Sequence, residues 1–229
     1  MSNLDRPNVS PSLAESLSAD LNDHRQSAPT ADDTIRELEA FIARVPPRTD
    51  LYNTRKHFYV GIFCTLVLGL ALWAVLAAGG VGGGAIAMLA VGAAFGIGMI
   101  ANHWNAGRKP EATFTHTELT APDMARPLQL ADVVDIEIAG YFQVAIHLDV
   151  ESAAQLPVTR KRRGFYLAQA IAEPTHAPPR LTLMSSGVRV NAKTLDDEQT
   201  FALIADYVNV ARAHRQLAAL RAGHAVSRT

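Results

Sequence analysis

Residues 58–101 read FYVGIFCTLVLGLALWAVLAAGGVGGGAIAMLAVGAAFGIGMIA, 44 positions without one Asp, Glu, Lys or Arg. A single helix of that length would run about 66 Å, roughly twice the ~30 Å hydrocarbon core of a bilayer. The midpoint resolves the mismatch. Gly79, Gly80, Gly82, Gly83 and Gly84 around Val81 cannot hold a helix, because glycine loses more backbone freedom on ordering than any other residue. Two apolar helices therefore form, over 58–78 and 85–101, the second borrowing a residue or two from the turn. The expectation is a transmembrane hairpin over 57–104 with its turn at 79–84.

Whole-chain averages hide this. The 229 residues carry a formal net charge of −1 and 19% charged side chains. Mean hydropathy is barely above zero. The positive charges are placed asymmetrically. Arg44, Arg48, Arg55 and Lys56 precede the first apolar helix, Arg108 and Lys109 follow the second, and the turn carries none. The positive-inside rule then puts both termini in the cytoplasm, with Tyr52, Tyr59 and Trp104 at the cytoplasmic aromatic belt and Trp73 near the opposite one. Cys64, the only cysteine, lies inside the first apolar helix, so no disulfide framework or thiol-based metal site is available.

The amino end has no apolar core of the kind a secretory signal needs. Residues 1–32, rich in Ser, Asp, Asn, Pro and Ala, read as disordered. Residues 33–46 read as an amphipathic juxtamembrane helix. Thr34 and Glu37 have capping-box spacing, Ile35, Leu38, Phe41, Ile42 and Val45 form an apolar stripe, and Pro46-Pro47 ends it. That stripe must rest on the cytoplasmic domain, on lipid headgroups or on another subunit.

Small residues recur along the hairpin. Gly61, Thr65 and Gly69 fall four apart, Gly92 and Gly96 make a G-x-x-x-G pair, and Ala90, Ala94, Gly98 and Asn102 form a separate row. Two residues of offset is about 200° of helix, so the last two rows lie on nearly opposite faces. One face can pack on the first helix and the other on a second copy of the chain. His57 and His103 end at the same level and read as residues marking the helix ends, since two imidazoles without a carboxylate are a thin metal-ligand set.

Past residue 112 the apolar period changes to two. Strands are expected over 112–120, 128–138, 141–150, 164–171 and 181–192, with breaks at Ala121-Pro122-Asp123, Gly140, Gln155-Leu156-Pro157, Pro174 to Pro179 and Ser186-Gly187. No helix long enough for a parallel crossover intervenes, so the sheet is antiparallel. Thr194 or Asp196 then caps a long helix with the apolar stripe Phe201, Ile204, Ala205, Val208 and Ala211. Its first turn is acidic and its later turns are basic, as the helix dipole favours. Residues 223–229 read as a tail.

Two stretches carry a resemblance: Thr113 to Thr120 followed by Pro127 to Ile136, and Leu181 to Val190 with its Ser-Gly turn, followed by a helix from Asp196. The chain resembles bacterial membrane-anchored pleckstrin-homology-like (PH-like) domain proteins, which join a two-span hairpin to such a domain. The resemblance implies an α+β membrane protein of the bacterial inner membrane. Its cytoplasmic domain over 112–222 would be an antiparallel β-barrel or sandwich with a C-terminal capping helix. It implies no catalytic residue.

No G-x-S-x-G, P-loop, H-E-x-x-H or Gly-rich dinucleotide turn occurs. Asp132, Asp135 and Glu137 lie close together in sequence, and His116 and His147 fall on different strands that could meet. These read as surface charges and structural histidines, and neither a cofactor nor a metal is expected. The strongest functional signal is Arg160-Lys161-Arg162-Arg163, with Arg180, Arg189 and Lys193 elsewhere. Four consecutive cations near a membrane suit anionic headgroups. The domain as a whole is not basic, so nucleic acid is not expected as a partner. The expected function is a non-enzymatic membrane module for lipid or protein-partner interaction that self-associates. The alternative is an accessory subunit of a transport or secretion complex.

Overall fold

In the computed structural model, residues 31–79, 82–140, 143–160 and 170–226 are described. The elements are α1 (Ala31–Arg44), β1 (Arg48–Asn53), α2 (Lys56–Ala78), α3 (Gly83–Asn102), β2 (Pro110–Thr115), β3 (Glu118–Thr120), β4 (Leu128–Gln129), β5 (Val133–Ala139), β6 (Val144–Val150), β7 (Ala170–Glu173), β8 (Arg180–Ser185), β9 (Val188–Val190), β10 (Lys193–Thr194) and α4 (Asp197–Val226). The result is α+β: two apolar helices, antiparallel sheets and a C-terminal helix. Residues 1–30, where most of the expected disordered segment falls, lie outside the described residues, as do parts of the expected turn at 79–84 and of the expected strand over 164–171.

The strands form two sheets, ordered β10-β9-β1-β2-β3-β4 and β5-β6-β8-β7. Among the described residues every pairing is antiparallel. Two expected strands are interrupted. The strand over 112–120 turns at His116-Thr117, where Glu118 N–H donates to Thr115 Oγ1 at 3.0 Å. The strand over 128–138 contains a short 3-10 turn at Leu130–Asp132.

β1 is the element that the sequence did not announce. Arg48-Thr-Asp-Leu-Tyr-Asn53 contains only two apolar side chains, yet Thr49, Leu51 and Asn53 point inward with the period of a strand. Asp50 Oδ1 accepts from Thr113 Oγ1 at 2.6 Å and from the Arg48 guanidinium. The Thr113 bond first, then Arg48, hold the Asp50 carboxyl below its usual range. β1 lies between β9 and β2, pairing Asp50 with Thr113 and Leu51 with Ala112. The β unit therefore draws on residues outside 112–222, and the whole apolar hairpin is the connection between two neighbouring strands of one sheet.

The core gathers Leu51, Phe114, Leu119, Leu128, Leu130, Ile146, Leu148 and Leu181 from both sheets, closed by Ile204, Tyr207, Val208 and Ala211 of α4. Asp196 caps α4, its Oδ1 accepting from Gln199 N–H at 2.7 Å, and the helix continues through Val226, past the expected start of the tail. Phe201, expected in the stripe, is exposed, and Tyr207 takes the interior place. Tyrosine fits there because its hydroxyl is satisfied: it donates to the Pro46 carbonyl at 2.8 Å and lies 2.7 Å from Thr49 Oγ1.

α1 packs on α4, with Glu39 paired to Arg221 and Val45 against the core. Of the three supports open to its stripe, the structure uses the β unit. The helix begins at Ala31, so Thr34 and Glu37 lie inside it and do not form its cap. At the end of α1, His116 Nε2 donates to the Val45 carbonyl at 3.0 Å, and His214 Nε2 lies 3.5 Å from His116 Nδ1. Only one of the two facing nitrogens donates at this contact.

Burial first, then His116 and Arg221, push the His214 pKa down. On acidification through about pH 6.5 the unfolded chain takes up a proton that folded His214 resists. Stability is therefore lost as pH falls below that value, until the depressed folded pKa is reached. Thermal unfolding followed between pH 7.5 and 5.5 should show this decline, and His214→Gln should flatten it.

Candidate functional site

The site is built where the hairpin joins the β unit. β1 ends at Asn53, and α2 begins three residues later. α3 ends at Asn102 and returns through His103 to Lys109 into β2. Asn53 is buried; its Nδ2 donates to Glu111 Oε1 at 3.3 Å, and its Oδ1 accepts from Ser186 N–H at 2.9 Å and faces the Ser186 hydroxyl. Thr54 N–H donates to the Gly187 carbonyl at 2.9 Å. Arg55 Nε donates to the Ala106 carbonyl at 3.0 Å, and an Arg189 Nη donates to the Gly107 carbonyl at 3.2 Å. Gly107 has φ +71°, a conformation that residues with a Cβ rarely adopt, so the return turn favours glycine. These bonds tie the Ser186-Gly187 turn and both roots of the hairpin into one neck.

Trp104 sits edge-on to Phe58, ring centroids 5.8 Å apart, with the Arg108 guanidinium 5.8 Å from its ring. His57 and His103, on opposite roots, come to 5.2 Å. Two clefts flank the neck. One, of about 670 Å³, lies along the return segment and is lined by Asn53, Ile100, Trp104, Lys109 and Glu111 among others. The other, of about 620 Å³, lies between α2 and α3 and is lined by Lys56, His57, Val60, Cys64, Phe95 and Met99, with Gln143 arriving from the loop before β6.

Within the hairpin, the expected packing residues divide. A Cβ on Gly96 would come within 2.4 Å of Thr65 Oγ1, and one on Gly61 within 3.0 Å of the Gly96 carbonyl. A Cβ on Gly92 would meet the Leu68 side chain at 2.7 Å. Gly61, Gly92 and Gly96 thus form the face between the two helices. Gly69 and Gly98 have nothing within 4 Å of the same point, and Ala90 and Ala94 are exposed.

Of the expected cationic run, only Arg160 falls among the described residues. Arg160 is exposed and its N–H donates to the Asp123 carbonyl at 2.7 Å; Lys161, Arg162 and Arg163 lie outside the described residues. Arg180 is engaged with Asp149 and Glu137 in the second sheet, and Arg189 holds the neck. The acidic trio also disperses. Asp132 pairs with Arg215, Glu137 with Arg180, and Asp135 accepts its neighbour's Ile136 N–H at 2.8 Å. His116 and His147 do not meet: His116 faces His214 and Tyr207, while His147 bonds Thr182 across the other sheet at 2.9 Å. Among the described residues no cluster of three or more His, Cys, Asp or Glu could hold a metal.

The class that this arrangement defines is an α+β chain with an apolar helical hairpin rooted in neighbouring strands, each helix long and apolar enough to cross a membrane. No family model matches the sequence, and neither a curated protein nor a solved structure matches it.

Proposed function

We propose that the chain is a membrane-anchored, non-enzymatic module of the bacterial inner membrane. Its hairpin spans the bilayer with both termini cytoplasmic, and its PH-like β unit engages anionic lipid or a protein partner at the membrane surface. One observation carries the anchoring. Leu66, Leu70, Trp73, Leu76, Met88, Val91 and Phe95 point away from the protein, with Trp73 70% and Met88 78% exposed. Large apolar side chains projecting outward from both helices have no stable place in water, at about 25 cal/mol for each Å² of apolar surface. The two antiparallel sheets closed by α4 support the PH-like reading. The rooting of α2 and α3 in paired strands holds the β unit close to the surface in one orientation, which suits a domain that reads that surface.

The full chain should remain in the membrane fraction through high-salt and alkaline washes, with reporters at either terminus both active in the cytoplasm. Recovery from the aqueous phase without surfactant, or opposite reporter signals, would refute the anchoring. For the lipid contact, hydrogen exchange over 158–164 should slow in phosphatidylglycerol nanodiscs relative to phosphatidylcholine ones. Replacing Arg160–163 with alanine should abolish the difference.

A second reading, an accessory subunit of a transport or secretion complex, draws on the uncovered row Ala90 and Ala94, which can accept another helix closely. The same row would serve self-association. Purification in mild detergent separates them: a stoichiometric heterologous complex favours the subunit, a lone dimer the self-associating module.

A further inference from the structure

The cleft between α2 and α3 combines two chemistries at its two ends. Its floor is Val60, Cys64, Phe95 and Met99, and above Gly98 there is open space. Its rim, at the end adjoining the β unit, is Lys56, Asn102, His103 and Gln143, with buried His57 packed against the His103 ring. From His57 to Cys64 is seven residues of helix and from His103 back to Phe95 is eight, so the trough descends about 10–12 Å below its rim. Its volume, about 620 Å³, falls within the ~300–1,000 Å³ of sites that enclose a small ligand. Among the described residues lining it, Lys56 is the one lysine or arginine, and no Asp or Glu is present.

We propose that this cleft is a binding site for one anionic phospholipid. The phosphate lies at the rim within reach of the Lys56 ammonium and the donors of Asn102, His103 and Gln143. One acyl chain fills the trough over Gly98. The inference rests on the membrane-anchored reading above and adds to it a defined seat, separate from the basic run at 160–163. Charge and polarity select the occupant. A cationic and amide rim opposite no acid suits a phosphodiester, and a continuous apolar floor suits the chain attached to it. A soluble phosphate would use the rim and leave the floor in contact with water or with other lipid.

The test uses the full chain, purified in mild detergent with equal amounts of phosphatidylglycerol and phosphatidylcholine, and reads retained lipid by native mass spectrometry. One phosphatidylglycerol should be retained in preference to phosphatidylcholine by roughly fivefold, the selectivity expected of one well-placed cation. Lys56→Gln, an exposed substitution, should bring the ratio near one, whereas Lys109→Gln in the neighbouring cleft should leave it unchanged. Gly98→Leu, which has room for its Cβ, should reduce retention of both lipids by filling the trough. Equal retention of the two lipids, an unchanged ratio in Lys56→Gln, or an equal fall in Lys109→Gln would overturn the site while leaving the anchor intact. A chain that stays soluble without detergent and retains neither lipid would instead overturn the anchored reading.

Discussion

Gly96→Leu should separate the two apolar helices. A Cβ at residue 96 lies 2.4 Å from Thr65 Oγ1, 3.0 Å from Thr65 N and 3.1 Å from the Gly61 carbonyl oxygen. Two of those three atoms belong to the facing backbone, and Thr65 Oγ1 is itself held by its 2.8 Å bond to the Gly61 carbonyl. Rotating the Thr65 side chain would still leave the two backbone contacts, so the helix axes must part. Adding methylenes to a packed interface costs about 1–3 kcal/mol, and a clash with backbone belongs at the upper end of that range. The chain's two tryptophans, Trp73 and Trp104, lie in or beside the hairpin, so their fluorescence on heating in detergent reports it directly. The midpoint should fall by several degrees for Gly96→Leu. Gly69→Ala, into open space on the first helix, should leave it unchanged or raise it slightly. Equal effects at the two positions would refute the assigned packing face.

Arg180→Met should strongly destabilise the β unit. Arg180 opens β8 opposite Asp149 of β6 and Glu173 of β7. Its Nε donates to Asp149 Oδ1 at 2.6 Å, its second terminal nitrogen to Oδ2 at 3.0 Å, and its Nη1 reaches Glu137 at 3.1 Å. Asp149, by its hydrogen bond and charge, raises the guanidinium pKa against the opposing effect of burial. The Asp149 side chain is only 6% exposed, so removing the arginine leaves a carboxylate with little water to solvate it. Losing one partner of such a pair costs about 3–5 kcal/mol. That is a large share of the ~5–15 kcal/mol that holds a typical domain. The double variant Arg180→Met with Asp149→Asn should recover much of the loss in chemical denaturation. A single variant as stable as the parent would show that the pair is not needed.

The legible parts of this chain are those where one physical pattern dominates. Forty-four uncharged residues with a glycine-rich midpoint make two apolar helices whatever follows them, although the second takes in Gly83 and Gly84 of the expected turn. Alternating residues after 112 make antiparallel strands because no crossover helix intervenes. The candidate site was legible only in fragments. His57, His103 and Cys64 were visible as members of the hairpin, but nothing in their spacing places Lys56, Gly98 and Gln143 around one cleft. Asn53 and Glu111 lie 58 positions apart, and their contact exists only because the hairpin returns to the strand beside the one it left.

By itself the sequence determined the apolar hairpin, the antiparallel character of the strands and the capped terminal helix, all set by local periodicity and by glycine or proline punctuation. Only the tertiary structure decided that Arg48–Asn53 is a strand within a six-stranded sheet, that α1 lies on α4, and that Tyr207 displaces Phe201 from the core. The physical reason is shared by the first and the third. Thr49, Asn53 and Tyr207 carry polar atoms that look wrong for an interior until distant partners, namely Pro46, Glu111 and Ser186, are brought within hydrogen-bond reach.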